Sequence, residues 1–582
     1  MRSRTIRFFC FGMSILAVLA MIGQRGGAQN PPQAPPAALT DRPQARSMVI
    51  TQDGIVAAES PLAAQAGVAM MRSGGNAIDA AIAANAVMGV VAPMSNGIGG
   101  DLFVIYYEAK TGKLYGLNAS GPAPAALNAQ LLRGKGIVSM PQRGIYSVTV
   151  PGAVDGWQKL LDKFGTKKFS EVLAPAIHVA EQGFNVSEWV ANTWAVPAGL
   201  EVLRKDDEAS HVYLYNDQPM HVGQLFKNPD LAWSLRQIAT GGRDAYYKGE
   251  IAKRIVQTSA KHDGVMTFDD LAQYSSEWVE PLSTTYRGWT VYELPPNGQG
   301  IAALEMLNIM ETFPIGGPDF AFNQTRTLHM MIEAKKLAYA DLQHYIGEPR
   351  NNPDVMKAAM GMLAKPYAAE RAKLIDMDKA NCAVPAGPVL PPAGDTIYLS
   401  TVDRDGNMVS LIQSNYEGFG SGLVAQGTGF VLHDRGGLFS LDDKSPNVLA
   451  GGKRPLHTII PAFMEHENVR IAFGIMGGWN QAQAHAQYVS HVVDFKQNIQ
   501  LAMEAARFTM AKFTGCELDL ENRIPGNVRA ELEAKGHVLK MHNGYSNTFG
   551  GGQAVMRDFT ANVNYGASDP RKDGAAIPEL PF

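Results

Sequence analysis

The hydrophobic and polar positions first form a clear helical pattern after Ser60-Pro61, where a hydroxyl residue precedes a ring that favours the first helical turn. Gly74-Gly75 ends this predicted helix. Asn76 then starts a second helix that extends through Val87. Small residues occupy most sides of the second helix, so we expect it to pack tightly between neighbouring elements.

Apolar runs farther along the chain predict strands. Phe103–Tyr107 and Lys113–Tyr115 read as two strands joined by a turn. The clearest hairpin joins Thr396–Val402 to Met408–Ile412 across an Asp-Gly turn at residues 403–407. Its first strand follows residues 383–394, whose four prolines exclude a helix or a central strand.

Between Phe169 and about Asp376 the pattern is mostly helical, with breaks such as Pro295–Gly298. Helices on one side of the chain and strand-rich segments on the other predict a layered α/β arrangement, and they do not fit a βαβ repeat. The sequence shows no internal repeat.

The first 28 residues have the pattern of a secretory signal. Three arginines precede the apolar run Phe8–Ile22, and small residues lead to a cut expected after Ala28. The run is shorter than the roughly 17–25 residues that span a bilayer. Residues 29–47 are a proline-rich linker. We therefore predict a protein that is exported to the periplasm or secreted, with no membrane span once the signal is removed; an uncleaved anchor is the alternative.

Composition excludes several classes of function. The chain has 582 residues, 46% of them hydrophobic and 18% charged, which is typical of a globular protein. The net charge of −4 provides no basic excess for nucleic acid. Zinc-binding spacing is absent, and His485 and His491 near a helical pattern read as ordinary packed or surface residues. No metal or cofactor is predicted, and Cys382 and Cys516 could pair or stay free.

Three glycine-rich motifs could carry chemistry, although each is more typical of a turn. Gly97–Gly100 follows a helix, whereas a dinucleotide-binding loop follows a strand. Gly418–Gly422 has its serine one position away from that of a nucleophile elbow. Gly477-Gly478 follows the apolar run Ile471–Met476.

Several motifs in one order resemble the gamma-glutamyltransferase family over nearly all of residues 48–575. They are Glu59–Gly100, Val150–Ala153, Tyr246–Gly249, the Asp395-Thr396 junction, Asp403–Asn407, Lys453–Leu456, Gly477-Gly478 and Tyr565–Arg571. Together they are far more specific than any single one.

The resemblance implies an α+β fold of the N-terminal nucleophile hydrolase type, a four-layer αββα sandwich. It also implies a precursor that cuts itself between Asp395 and Thr396, giving a large subunit of residues 48–395 intertwined with a small subunit of residues 396–582. Thr396 then has a hydroxyl nucleophile and a free α-amine, whose pKa of about 7.7–8.0 lets it act as the base. By the same resemblance, Ser414 bonds the nucleophile, and the amides of Gly477 and Gly478 form the oxyanion hole.

The substrate pocket departs from the family pattern. Ser120 stands where the family has an arginine for the α-carboxylate, and Leu438 where it has an acid for the α-amine. Tyr416 replaces an asparagine, and His457 and Thr458 replace paired serines. Each lost charged contact is worth about 1.5–3 kcal/mol of recognition. Arg435, in a polar turn that is usually solvated, and Arg454, in a motif typical of a structural role, are the candidate replacement cations.

The sequence is compatible with three functions. The first is a self-processing enzyme that cleaves a gamma-glutamyl-type amide, similar to glutathione, through an acyl-threonine and passes the acyl group to water or an amine. The second is an exported acylase for another small acyl amide. The third is an inactive binding protein on the same fold.

Overall fold

Runs of helices and runs of mostly antiparallel strands follow one another in the computed structural model, which describes residues 43–384 and 395–580. The strands are β1 (Val49–Thr51), β2 (Ile55–Ala58), β3 (Asp101–Glu108), β4 (Lys113–Ala119), β5 (Phe184–Asn185), β6 (Leu225–Phe226), β7 (Glu277–Val279), β8 (Leu282–Tyr286), β9 (Trp289–Glu293), β10 (Asp395–Val402), β11 (Met408–Tyr416), β12 (Ala462–His466), β13 (Val469–Ile475), β14 (Phe508–Thr509), β15 (Glu517–Glu521), β16 (Val538–His542), β17 (Gly552–Asp558), β18 (Val563–Ser568) and β19 (Ala575–Pro578). The helices are α1 (Pro61–Arg72), α2 (Ala77–Val91), α3 (Ala129–Gly134), α4 (Ala153–Phe164), α5 (Phe169–Val172), α6 (Ala174–Gln182), α7 (Glu188–Trp194), α8 (Pro197–Leu203), α9 (Asp207–Tyr213), α10 (Pro229–Tyr247), α11 (Glu250–Lys261), α12 (Phe268–Ala272), α13 (Gly300–Glu311), α14 (Thr325–Tyr345), α15 (Asp354–Met362), α16 (Lys365–Ala372), α17 (Asn480–Val493), α18 (Ile499–Glu504) and α19 (Gly526–Ala534).

Two seven-stranded sheets built from these described strands stack on each other. The first has the order β19-β2-β10-β11-β3-β4-β7, and the second has the order β1-β18-β17-β13-β12-β9-β8. Alternate side chains of β10 explain the stacking, because Ile397 and Leu399 join the core under α1 and α2, whereas Tyr398 and Val402 join the core between the sheets. Helices α13, α14 and α17 cover the second sheet. The predicted αββα sandwich is thus confirmed.

The first two helices begin where the sequence predicts. Pro61 occupies the first turn of α1. The Asn76 side chain accepts hydrogen bonds from the amides of Ile78 and Asp79, while the Asp79 carboxylate accepts one from the Asn76 amide at 2.9 Å. This reciprocal capping fixes the start of α2, whose residues are almost all buried, as expected from its small side chains.

The helical interpretation of residues 169–376 missed a group of strands. Strands β8 and β9 form a hairpin around Arg287-Gly288 and join the second sheet, while β7 extends the first sheet. The segments Leu282–Tyr286 and Trp289–Glu293 are rich in β-branched and aromatic residues, so the strand signal is present in the sequence.

Predictions for the chain start lie mostly outside the described residues. The expected signal of residues 1–28 is not among them, and the expected linker of residues 29–47 is described only from Pro43. Within that part, Arg46 donates a 2.7 Å hydrogen bond to the Gly574 carbonyl. No described helix is both long enough and apolar enough to cross a bilayer. Cys382 and Cys516 form a disulfide, which the sequence left open.

Candidate active site

The hairpin of β10 and β11 brings two hydroxyl groups together. Thr396 Oγ1 lies 3.1 Å from Ser414 Oγ, and both residues are fully buried. Ser414 Oγ also accepts a 2.7 Å hydrogen bond from the Tyr416 amide. The register of the hairpin is irregular between Asp395 and Ile397, which places Thr396 at a bulge at the start of its strand.

Gly477 and Gly478 connect β13 to α17. Their φ angles of 123° and 58° lie in the left-handed region, which favours glycine. Their carbonyls accept the amide hydrogens of Asn480 and Gln481 as α17 begins, at 3.0 and 3.3 Å. Neither glycine amide donates a hydrogen bond to another residue in the described ranges. Two N–H groups are therefore available at the positive end of a 14-residue helix.

A buried ionic cluster contains Asp101, Arg435, His457 and Thr458. Arg435 Nε donates to Asp101 Oδ2 at 2.8 Å, and its other nitrogens bond Asp101 Oδ1 at 3.3 Å and Thr458 Oγ1 at 2.6 Å. His457 Nε2 lies 2.7 Å from Asp101 Oδ2. Because Asp101 pairs with Ser414 across β3 and β11, the cluster adjoins the Thr396–Ser414 pair.

The charge state of this cluster follows from burial and pairing. Burial alone would raise the pKa of Asp101, but Arg435 and His457 outweigh it and hold that pKa well below its usual range. Burial lowers the pKa of His457 to about 4, and that of the neighbouring His433 to about 4. Near neutral pH one carboxylate therefore neutralises one guanidinium, and both imidazoles are uncharged.

The structure brings together three of the five predicted substrate-binding residues. The Arg435 guanidinium, which bonds Thr458, also lies 4.7 Å from the centre of the Tyr416 ring, and Asp101 links it to His457. Leu438 ends the same short 3-10 helix as Arg435, with its side chain in the apolar core under α13 and α14.

Ser120 is buried at the end of β4 and has different neighbours. Its amide donates to Asn118 Oδ1 at 3.0 Å, and its hydroxyl lies 3.5 Å from Asn297 Nδ2. Asn297 Nδ2 also donates to the Pro455 carbonyl at 2.6 Å, which ties Ser120 to the segment that precedes His457.

For Arg435 the sequence prediction was wrong, and Asp101 was not predicted at all. Arg435 was expected in a solvated turn, yet it is fully buried because it pairs with Asp101. Asp101 was not considered; its only signal is an acid directly before an apolar run. Arg454 has the structural role that was expected, since it forms two hydrogen bonds with the Glu348 carboxylate at 2.6 and 2.9 Å.

A cavity of about 520 Å³ lies beside Gly477. Its walls include three large aromatic side chains, namely Trp189, Phe419 and Trp479, and one charged pair, Arg143 and Glu417, at 2.9 Å. Burial raises the pKa of the Glu417 carboxyl. Asp519 and Lys572 also line the cavity, which is thus mainly apolar with several charged side chains in its walls.

Two histidines that are distant in the sequence lie together in the fold. His329, Glu333 and His537 are buried and place potential metal ligand atoms within 4.8 Å of one another. His329 Nδ1 lies 2.8 Å from His537 Nε2, and Lys336 Nζ donates to Glu333 at 2.7 Å. Spacing along the sequence does not reveal this group, because His329 and His537 are 208 positions apart and meet only in the folded chain. His485 is packed as expected, with Nδ1 2.8 Å from Glu293 Oε1.

Comparisons with known proteins agree with this architecture. Residues 63–579 match the model of the Gamma-glutamyltranspeptidase family. The chain is 33% identical to the glutathione hydrolase-like YwrD proenzyme of Bacillus subtilis, over 91% of this chain and 99% of that protein. It is 32% identical to the oxamate amidohydrolase proenzyme of Klebsiella pneumoniae, over 90% and 98%. The crystal structure of a cephalosporin acylase from Bacillus halodurans superposes with a TM-score of 0.86 at 39% identity, over 95% and 99%.

Proposed function

Because the chain belongs to the gamma-glutamyltranspeptidase family, we propose that it is a self-processing amidohydrolase with Thr396 as its nucleophile. The observation that carries the proposal is the Thr396 hydroxyl, buried at a strand start 3.1 Å from the Ser414 hydroxyl. A threonine in a strand is ordinarily only a β-former. Thr396, however, belongs to the Asp395-Thr396 junction, which is one of the family's motifs.

Processing uses the same hydroxyl as catalysis. Thr396 Oγ1 attacks the Asp395 carbonyl carbon, and the acyl group moves from the Thr396 nitrogen to its oxygen. Water then hydrolyses the ester. Asp395 gains a terminal α-carboxylate, and Thr396 regains its hydroxyl as a chain start with a free α-amine that can accept a proton near neutral pH.

Catalysis then proceeds by acyl transfer. The α-amine takes the hydroxyl proton while Thr396 Oγ1 attacks the substrate amide. As the C–N bond breaks, that proton passes to the leaving amine, and an acyl-threonine ester is left. Water or an amine attacks the ester and restores the hydroxyl. Ser414, by its hydrogen bond, orients the nucleophile.

The amides of Gly477 and Gly478 are proposed to hold the negative oxygen of the tetrahedral intermediate. Support comes from their unused N–H groups at the start of α17 and from their lack of side chains, which lets a carbonyl approach. Such a donor lowers the activation free energy by about 2.7–4 kcal/mol.

The acyl group is proposed to lack the α-ammonium group of γ-glutamyl. Leu438 has no acceptor atom, and both oxygens of Asp101 already accept hydrogen bonds from Arg435 or His457. The 39% identity to a cephalosporin acylase agrees with this acylase assignment. A γ-glutamyl amide is the second candidate, and the glutathione hydrolase-like relative favours it.

We also propose that the enzyme is exported. The amino-terminal pattern of arginines, apolar run and small residues supports this. The disulfide between Cys382 and Cys516 agrees, because such bonds persist mainly in oxidising compartments.

The variant Thr396→Ala tests the nucleophile. We expect this variant to stay a single uncut chain and to lose all amide cleavage, because no hydroxyl remains for either reaction. Thr396→Ser should keep part of both activities, since serine retains the hydroxyl. Denaturing gels under reducing conditions and an amide-cleavage assay measure both. Cutting of the alanine variant at the same bond would disprove intramolecular attack by Thr396.

A matched substrate series tests the acyl group. γ-Glutamyl-, glutaryl- and pentanoyl-p-nitroanilide differ stepwise by the loss of the α-amine and then by the replacement of the carboxylate with a methyl group. An ammonium group without a hydrogen-bond acceptor loses about 1.5–3 kcal/mol, so we expect kcat/KM for glutaryl-p-nitroanilide to exceed that for the γ-glutamyl compound by about 10- to 150-fold. A tenfold preference for γ-glutamyl over both others would instead establish the second candidate.

A further inference from the structure

The disulfide and the proposed cut have a simple topological relation. Cys382 lies thirteen residues before Asp395, and Cys516 lies in the segment after Thr396. In the uncut precursor the disulfide closes a loop within one chain. Once the bond between Asp395 and Thr396 is cut, the same disulfide has one end in each product.

We propose that the disulfide between Cys382 and Cys516 is a covalent bond between the large and small subunits of the mature enzyme. This proposal rests on the proposed cut at Asp395-Thr396. It implies that the two subunits produced by processing stay joined under oxidising conditions. The bond connects the carboxyl-terminal part of the large subunit to the interior of the small-subunit sequence.

The surroundings of the disulfide hold both of its ends in place. On the large-subunit side, the Ala380 amide donates to the Lys535 carbonyl at 2.8 Å, and Lys535 Nζ donates to the Met377 carbonyl at 2.7 Å. These bonds fix the chain just before Cys382 against the turn between α19 and β16.

The small-subunit side rests on α14 of the large subunit. Cys516 is buried directly before β15, and Lys336 Nζ lies 3.9 Å from its sulfur while donating to the Asn381 carbonyl at 3.1 Å. The disulfide thus joins the buried Cys516 to the exposed Cys382 at a contact between the two proposed subunits.

The link changes the number of molecules that unfolding produces from each mature enzyme. Two subunits held only by contacts separate when they unfold, so their apparent stability depends on protein concentration. Two subunits joined by a disulfide unfold as one molecule, so their stability does not. The bond therefore keeps the pair together at the high dilution that an exported protein meets.

Gel electrophoresis tests the link on the mature protein, with free thiols alkylated before denaturation. We expect one band without reductant, at the combined mass of both subunits, and two bands with dithiothreitol. Two bands without reductant would disprove the link while leaving the cut intact. One band under both conditions would instead disprove the proposed processing and, with it, a bond between subunits.

Mass spectrometry of a tryptic digest without reductant locates the bond. Trypsin cuts after Lys379, Lys512 and Arg523, so the mature enzyme should give residues 380–395 linked to 513–523. The end at Asp395 is not a trypsin site and reports the cut in the same peptide. The Thr396→Ala variant is the matched control and should give residues 380–404 linked to 513–523. Separate peptides with alkylated cysteines would contradict the proposal.

The variant Cys382→Ser tests whether the disulfide makes the stability of the processed enzyme independent of protein concentration. Over a 100-fold range of protein concentration, we expect the urea midpoint of the wild type to stay constant and that of the variant to rise with concentration. Cys516→Ser should behave like Cys382→Ser. An equal concentration dependence in wild type and variants would show that the disulfide does not join the subunits.

Discussion

At the scale of single residues, the site is defined by which charges are already paired. Arg435 is a fully buried cation at the proposed acyl site, yet Asp101 and Thr458 take up its hydrogen bonds. A paired charge costs less to bury than a lone one, because the partner offsets part of the lost hydration. The pair therefore provides a polar but electrically neutral wall, which suits an acyl group without its own ammonium.

Asp101→Asn tests the importance of that pairing. The substitution leaves Arg435 buried without an anion, so we expect the free energy of unfolding to fall by about 3–5 kcal/mol. The double variant Asp101→Asn/Arg435→Gln removes both charges and should recover part of the loss. Urea unfolding monitored by fluorescence measures both. A loss below about 1 kcal/mol in the single variant would show that Arg435 finds another partner.

At the scale of elements, the position of the proposed nucleophile depends on how closely the two sheets approach each other. Gly474 of β13 lies against Tyr398, two residues after Thr396, and a Cβ atom at Gly474 would lie 2.4 Å from the Tyr398 ring. The absence of a side chain there lets the strand that leads to Gly477-Gly478 pack against the strand that begins at Thr396.

Gly474→Ala is expected to destabilise the protein by about 1–3 kcal/mol, because the tyrosine ring must shift in a packed core. It should also lower the rate of amide cleavage. Gly361→Ala is the matched control: it lies in α15 with open space around it, and alanine favours helix by up to about 1 kcal/mol. Thermal unfolding compares the two variants. Equal effects would show that the sheet contact at Gly474 is unimportant.

Features set by neighbouring residues could be predicted from the sequence, whereas contacts between distant segments could not. Caps and turns are local, so the starts of α1 and α2 and the β10–β11 hairpin could be predicted. The hairpin of β8 and β9 had a local signal that the surrounding helical pattern obscured. The pairing of Asp101 with Arg435, 334 positions apart, depends on the assembled sheet and has no local signal.

At the scale of the whole molecule, the two proposed subunits share their sheets. Strands β2 and β3, from before the proposed cut, pair with β10 and β11, from after it. In the other sheet, β9 from before the cut pairs with β12 from after it. Neither segment can complete a core alone, which explains why the chain would fold first and be cut afterwards.

Residues 396–582 expressed alone are therefore expected not to fold. Without β2 and β3, the central strands of the first sheet would expose their edges and apolar faces. Circular dichroism during heating should show no cooperative transition, whereas the full chain should show one. A cooperative transition in the isolated segment would contradict the shared-core description.

The central claim is that the hydroxyl of Thr396 becomes part of a chain start. Amino-terminal sequencing of the smaller subunit, separated from active enzyme under reducing conditions, tests this claim most directly. The account predicts the sequence Thr-Ile-Tyr-Leu-Ser, beginning at residue 396. Any other first residue, or an active preparation that contains only the uncut chain, would contradict it.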